Sequence, residues 1–176
     1  LLSLFIIFVS LFIVLSNYLP KNFDTKSIKS TELRIPKFLL DPHRQFIWGF
    51  VIESSKNSLF FGIGPDTSNF IADGQRDIGH PNTGDMNFIP SHPHNFFLEL
   101  ILEIGIFGTL SFLLLILSTN YYFIKKTFEI NSLVFFNGYF WTSSLVNFSF
   151  WNAWWQGSYF LILAILFSLV KKNQLK

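Results

Sequence analysis

Four long apolar runs alternate with polar connections along this chain: residues 1–19, 96–124, 132–150 and 153–170. They carry no charge apart from two glutamates near the start of the second run. At ~1.5 Å per residue, about 20 apolar residues cross the ~30 Å hydrocarbon core of a bilayer. The pattern predicts an all-α, polytopic membrane protein with four transmembrane helices.

Residues 20–95 form a long hydrophilic loop with helix signals of its own. Asp41 is an N-cap candidate, and Pro42 suits the first helical position. The spacing predicts an amphipathic helix over about 42–56, with one face formed by Arg44, Ile47, Trp48 and Val51. Trp48 and Phe50 are expected near the membrane interface. Glycine, proline, asparagine and aspartate predict an irregular, mobile loop over residues 72–93.

Composition and charge support the membrane class. Charged residues make up 14% of the chain, against ~25% in soluble domains. The absence of cysteine excludes a disulfide framework and a thiolate metal site. There is no basic patch that would indicate a nucleic-acid partner. The chain begins with Leu1 and its one methionine is Met86, so we expect it to be the C-terminal part of a longer protein.

Lysine pairs at 125–126 and 171–172 follow the second and fourth apolar runs. The positive-inside rule makes their side of the membrane cytoplasmic. The loop at residues 20–95 is then predicted to lie outside, and a membrane-lipid environment is expected around all four spans.

Ionisable residues gather where the loop enters the second apolar run. His94 has the residue type for a base near neutral pH, although a histidine in this position is more often an ordinary surface-loop residue, and His92 competes for the role. Glu99 and Glu103, one turn apart, continue a stripe begun by Asn95. Intramembrane carboxylates usually mark function, but these two are also consistent with interfacial contacts to water.

A second candidate group is cationic. The guanidinium of Arg44 is a planar fork suited to phosphate oxygens, and the alternative is a solvated arginine at a helix start. Arg34 and Arg76 are weaker candidates. The spacing of His80, Asp85, His92 and His94 matches no zinc pattern, so we expect no metal or other cofactor.

Three motifs occur in a fixed order: Arg44 with Trp48 on a helix, the turn Gly62-Ile63-Gly64-Pro65 followed by Asn69-Phe70, and His94-Asn95-Phe96-Phe97-Leu98 leading into Glu103-Ile104-Gly105-Ile106-Phe107-Gly108. Together, over about residues 41–118, they resemble the O-antigen ligase and polymerase family. Its members carry a large periplasmic loop followed by H-N-x-x-L and E-x-G-x-x-G.

The resemblance implies a helical glycosyltransferase of the GT-C type in the bacterial inner membrane. Such enzymes move a glycan from undecaprenyl diphosphate to lipid A-core or another glycan acceptor at the periplasmic face, without a metal. His94 would orient or deprotonate the acceptor hydroxyl, and Arg44 would hold the diphosphate. Substrate-binding support would come from Trp48, Asn95, Glu99 and Glu103.

Three other functions stay open. A polymerase of the same family would join repeat units to one another. A non-catalytic transport protein would line a path with polar residues near the midplane, for which Asn137, Ser143 and Ser144 are the candidates. A receptor-like module would need a loop that folds alone. The clustering of ionisable residues at one interface favours an enzyme.

Overall fold

The structure, a computed structural model, describes residues 10, 13, 14, 16–126 and 130–174. Its helices are α1 (Thr25–Ile28), α2 (Pro42–Ser55), α3 (Phe96–Lys126), α4 (Ile130–Asn147) and α5 (Ala153–Gln174), with 3-10 turns at Lys56–Ser58 and Ser68–Phe70. In this part of the chain the only β pairing is one isolated bridge, so the all-α prediction is confirmed. The predicted span at 1–19 falls mostly outside the described residues.

One apolar stretch in the described residues, Phe96–Lys125, is long and apolar enough to cross a membrane. Ala153–Ser168 is apolar but shorter. The four-span topology, and the placement of residues 20–95 outside the membrane, stay predictions.

Helix α2 begins where its sequence signals place it. The Asp41 carboxylate accepts a hydrogen bond from the backbone N–H of His43 at 2.9 Å, and Pro42 occupies the first turn. This helix packs against α3 and is also covered by other parts of residues 20–95, so more than one of its faces is buried. Trp48 and Phe50 are 6% and 7% exposed, so both side chains lie in the protein core, and their placement near a membrane interface stays a prediction.

The segment at residues 72–93 is irregular, as predicted, but it is packed into the same core. Ile78 and Phe88 are fully or almost fully buried. The guanidinium of Arg76 donates to the carbonyl of Phe23 at 2.6 Å and lies 5.3 Å from the centre of the Phe88 ring. Arg76 therefore holds this segment against the rest of the loop.

Helix α3 is broken at Gly105, where the backbone adopts φ 66° and ψ −174°. The Phe96 and Phe112 rings both lie against Trp141, at 5.4 and 5.9 Å between centroids. A straight helix would separate the two phenylalanines by ~24 Å at ~1.5 Å per residue. The predicted single span at 96–124 is therefore two helical pieces, and the second, residues 106–126, is itself ~30 Å long.

The turn at residues 59–64 fills the break in α3. The N–H groups of Ile63 and Gly64 donate to the carbonyls of Leu102 and Glu103, at 3.0 and 2.9 Å, which end the first piece. On the other side, the carbonyls of residues 59 and 60 accept from the N–H groups of residues 106 and 107. The polar backbone groups freed by the break are satisfied by this turn, as buried backbone N–H and C=O groups generally are.

The two pieces of α3 belong to different hydrophobic cores. Leu98 and Leu102 of the first piece pack with α2 and residues 78–89. Ile116 of the second piece packs with α4 and α5. The second core also contains a closed polar network, in which the side chains of Asn120, Asn137 and Tyr159 bond one another at 2.7–3.0 Å.

Candidate functional site

His94 lies directly before α3, at the point where the irregular segment meets the helix. Its φ of 52° is uncommon for a residue with a side chain and indicates a locally constrained backbone. The imidazole is half-buried, and its ring centre is 4.2 Å from that of His92. The two candidate histidines are therefore direct neighbours.

Positive charge surrounds His94. Burial of the imidazole, with further contributions from the charges of His92, Arg44 and His43, lowers the pKa of His94 from 6.5 to about 4. The structure therefore places His94 within electrostatic range of Arg44. We call His43, Arg44, His92 and His94 the basic cluster.

His43 is a member that sequence reasoning missed. Its Nε2 lies 2.9 Å from the carbonyl of Asn87, so the side chain is anchored to the irregular segment. A signal was present, because His43 and Arg44 put two basic groups in the first turn of a helix, where the macrodipole disfavours cations. Such a placement favours an anionic ligand nearby.

Asn95 caps α3. Its side-chain oxygen accepts from the N–H groups of Phe97 and Leu98, both at 3.1 Å, and the residue is 2% exposed. This is the usual N-cap arrangement. The geometry therefore gives Asn95 a role in starting α3, and its predicted contact with substrate stays a prediction.

Both glutamates of the first piece of α3 are buried and bind neighbouring protein segments. Glu99 accepts from the Ser149 hydroxyl at 2.7 Å and from the N–H of Phe150 at 2.5 Å. Glu103 accepts from the N–H groups of Asp66 and Ser68, at 2.7 and 2.9 Å, and from the indole N–H of Trp151. These carboxylates hold the first piece of α3 in place, which the sequence pattern did not reveal.

Two other residues singled out from the sequence, Trp48 and His80, are not among the groups that affect the pKa of His94. Trp48 is in the core, where its indole nitrogen has no hydrogen-bond partner among the described residues. His80 is 7% exposed, with Nδ1 accepting from the N–H of Asn82 and Nε2 facing the carbonyl of Thr31. Over the described ranges, no three His, Cys, Asp or Glu residues are grouped as metal ligands would be.

An apolar cavity of about 320 Å³ lies between α3 and α4. Phe96 and Phe97, which directly follow the His94–Asn95 pair, form part of its wall, and Asn120 and Asn137 lie farther along it. The cavity therefore connects the helix start beside the basic cluster with the interior of the helical core.

Comparison with known proteins places the chain in a family. The profile of the O-antigen ligase family, which is membrane-associated, matches residues 1–113. A Rickettsia conorii protein named "Putative polysaccharide ligase" is 31% identical over 138 residues, covering 74% of this chain and 32% of the relative. A protein of the same description from Rickettsia felis is 30% identical over 138 residues, covering 74% of this chain and 33% of the relative.

The chain spans about a third of the length of these curated relatives. No solved structure matches it. The matched region contains the basic cluster, the turn at 59–64 and the break at Gly105, and it ends within α3. On the family profile and the identity to these relatives, the chain belongs to the O-antigen ligase family.

Proposed function

We propose that this chain carries part of the active site of a membrane glycosyltransferase. The enzyme transfers a glycan from undecaprenyl diphosphate to lipid A-core or another glycan acceptor, at the periplasmic face of the bacterial inner membrane. The observation that carries the proposal is the basic cluster, which places a neutral imidazole beside a guanidinium. A lipid-linked diphosphate needs such a pair of groups, a fixed cation for the departing charge and a proton acceptor for the attacking hydroxyl.

Arg44 is the charge-stabilising group in this proposal. Glycan transfer breaks the bond between the sugar and the diphosphate, and negative charge grows on the departing phosphate oxygens. A guanidinium stays protonated at any physiological pH and binds two oxygens at once. His43 and His92 flank the same position and add hydrogen-bond donors when they are protonated.

His94 is the proton acceptor. Its lowered pKa keeps the imidazole neutral at physiological pH, so one ring nitrogen has a lone pair available for the acceptor hydroxyl. The same positive neighbours would disfavour the imidazolium after proton transfer. A bound diphosphate offsets that cost by supplying negative charge, which couples proton transfer to the presence of the donor.

The apolar cavity supports a lipid-linked donor. Its wall begins at Phe96 and Phe97, close in the chain to His94, and is lined mainly by apolar side chains. A hydrocarbon chain lying there would leave its diphosphate near the basic cluster. This arrangement matches a substrate that has an anionic head and an apolar tail.

The transport alternative is less well supported by the polar residues of α4. The side chain of Asn137 bonds Asn120, Tyr159 and Trp141, and the Ser144 hydroxyl bonds the Phe140 carbonyl and the Trp155 indole N–H. These groups join helices to each other. A path for a polar solute would require their hydrogen-bonding groups to be available to the solute, whereas here these groups are bonded to other side chains.

The test uses the complete gene product, expressed in a bacterial strain that lacks its own O-antigen ligase, with lipopolysaccharide separated on a gel. We expect His94→Ala and Arg44→Ala each to abolish the glycan ladder at normal protein abundance. Arg34→Ala is the matched control, since Arg34 is exposed and is not among the groups that lower the pKa of His94.

Two outcomes would count against the assignment. A normal ladder from His94→Ala, with loss of the ladder from His92→Ala, would move the proton-accepting role to His92. A normal ladder from Arg44→Ala would remove the diphosphate-binding role from the basic cluster. If even the unmutated protein makes no ladder, lipid A-core is not its acceptor, and the test must be repeated with another glycan acceptor.

A further inference from the structure

The turn that fills the break in α3 exposes an aromatic surface. Phe60 and Phe61 are 59% and 80% exposed, and both rings lie against Phe107, stacked at 5.8 Å and tilted at 5.6 Å between centroids, respectively. Phe107 is itself 55% exposed and lies in the first turn of the second piece of α3. We call Phe60, Phe61 and Phe107 the aromatic patch.

The aromatic patch continues an apolar stripe on the second piece of α3. Phe107, Leu110 and Leu114 follow i, i+3, i+7 spacing, so they share one helical face. Leu110 and Leu114 are 50% and 63% exposed. If this helix crosses a membrane, the face formed by Phe107, Leu110 and Leu114 is the one in contact with lipid. At the level of Phe107, the turn at residues 59–64 widens this apolar surface.

The composition and the backbone hydrogen bonds of the turn at residues 59–64 also suit an apolar environment. No charged residue occurs between Lys56 and Asp66. Four of its backbone groups are bound by the two ends of the broken helix, and the N–H of Gly62 donates to the carbonyl of Ser58 at 2.7 Å. Because these backbone groups are bonded within the protein, they would not be left unsatisfied where the turn meets the edge of the hydrocarbon region, so the side chains of the turn are the part that lipid would contact.

We propose that the aromatic patch is immersed in membrane lipid, so that the turn at residues 59–64 enters the bilayer beside the start of the spanning helix. The partner is the acyl-chain and headgroup boundary of one leaflet, where aromatic rings are favoured. The largely polar region at residues 20–95 is thereby anchored to the membrane at its middle as well as through α3. The proposal rests on α3 crossing a membrane and is independent of the catalytic roles of His94 and Arg44.

Spin-label accessibility tests the proposal on the complete gene product, made cysteine-free and reconstituted into lipid nanodiscs. Single labels go on Phe61→Cys, on Leu114→Cys as the lipid-facing reference, and on Asp85→Cys as the aqueous reference in an exposed polar loop. Molecular oxygen concentrates in lipid and a charged nickel chelate stays in water. We expect labels at 61 and 114 to collide more with oxygen than with nickel, and the label at 85 to show the reverse.

Two results would overturn the proposal. A label at 61 that collides mainly with nickel would place the turn in water. A label at 61 that collides with neither reagent would show that another part of the protein covers the aromatic patch. Phe60→Cys provides a second position if the first variant misfolds, and the glycan-transfer assay, run separately, reports failure of the catalytic proposal without affecting this measurement.

Discussion

At the scale of single residues, the unusual property of His94 is that its neighbours all oppose its protonation. Burial acts first, and His92, Arg44 and His43 add positive charge. The folded protein therefore binds a proton at His94 less readily than the unfolded chain does. As pH falls from about 6.5 towards about 4, this difference destabilises the folded state, and above about 6.5 it has no effect.

A titration of His94 would measure this environment directly. In the complete gene product with isotope-labelled histidine, we expect the His94 resonances to titrate near pH 4. Arg44→Gln should move the midpoint upward, because it removes one of the positive charges that disfavour the imidazolium. Arg34→Gln should leave it unchanged, and a midpoint near 6.5 in the unmutated protein would contradict the structure's account of the basic cluster.

Inorganic diphosphate should act in the opposite direction. Negative charge at the basic cluster favours the imidazolium, so we expect the His94 midpoint to rise when diphosphate binds. The rise should disappear in Arg44→Gln if Arg44 supplies the main contact. An unchanged midpoint at saturating diphosphate would show that the anion does not bind beside His94.

At the scale of elements, the break in α3 and the turn at 59–64 stabilise each other through close main-chain contacts. Gly62 and Gly105 both have positive φ, where side chains are disfavoured. A Cβ on Gly62 would lie 2.2 Å from the carbonyl oxygen of Glu103, and one on Gly105 would lie 2.3 Å from that of Phe60. The two segments approach so closely that only glycine fits at either position.

Alanine at these glycines should therefore destabilise the protein strongly. We expect Gly62→Ala and Gly105→Ala each to cost at least ~2–3 kcal/mol, since backbone strain and a clash with main-chain atoms both contribute. Gly157→Ala is the matched control, because this helical glycine has open space around its Cβ position. There alanine should stabilise by ~0.5–1 kcal/mol. Thermal unfolding in detergent measures the stability of all three variants. Equal effects at the three positions would rule out the close packing of the turn at 59–64 against the break in α3.

The sequence could predict the helices but not the break. Asp41–Pro42 identified the start of α2 correctly, because capping is a local interaction. Gly105 lies in a continuous apolar run, and its partner turn is about 40 residues earlier, so no local pattern marks the break. For the same reason the partners of Glu99 and Glu103 were unpredictable: they lie on the connection between α4 and α5 and on the turn before residue 70.

The sequence also predicted some residues of the candidate site and missed others. His94 and Arg44 carried recognisable chemistry, and the structure brings them together. His43 was missed because a single histidine beside an arginine is not a motif. The burial of Trp48 in the core was not predicted, because the i, i+3, i+4, i+7 spacing shows one apolar face, whereas α2 is covered on several sides by segments distant in sequence.

At the scale of the whole molecule, the first piece of α3 joins two separate cores. Its Leu98 and Leu102 belong to the core around α2, while its two glutamates bind the connection between α4 and α5. His94 lies directly before this piece. The position of His94 relative to α4 and α5 therefore depends on the hydrogen bonds of Glu99 and Glu103, which makes Trp151 a positioning residue for the proposed reaction.

Trp151→Phe tests that role, because it keeps an aromatic ring and removes the indole N–H that Glu103 accepts. Losing a hydrogen bond to a buried charged group costs ~1.5–3 kcal/mol. We expect kcat for glycan transfer to fall while KM for the lipid-linked donor stays constant, because the basic cluster retains its charges. Trp154→Phe is the matched control, since Trp154 is 62% exposed in the first turn of α5, close in the chain to Trp151, and should tolerate the change.

The His94 titration separates positioning from simple loss of stability. If Trp151 fixes where His94 lies, Trp151→Phe should shift the His94 midpoint from about 4 at temperatures where the variant is fully folded, because burial of the imidazole changes. A variant that is merely less stable would melt earlier and keep the same midpoint and the same kcat below its melting temperature. That second result would show that the connection between α4 and α5 supports the fold without affecting His94.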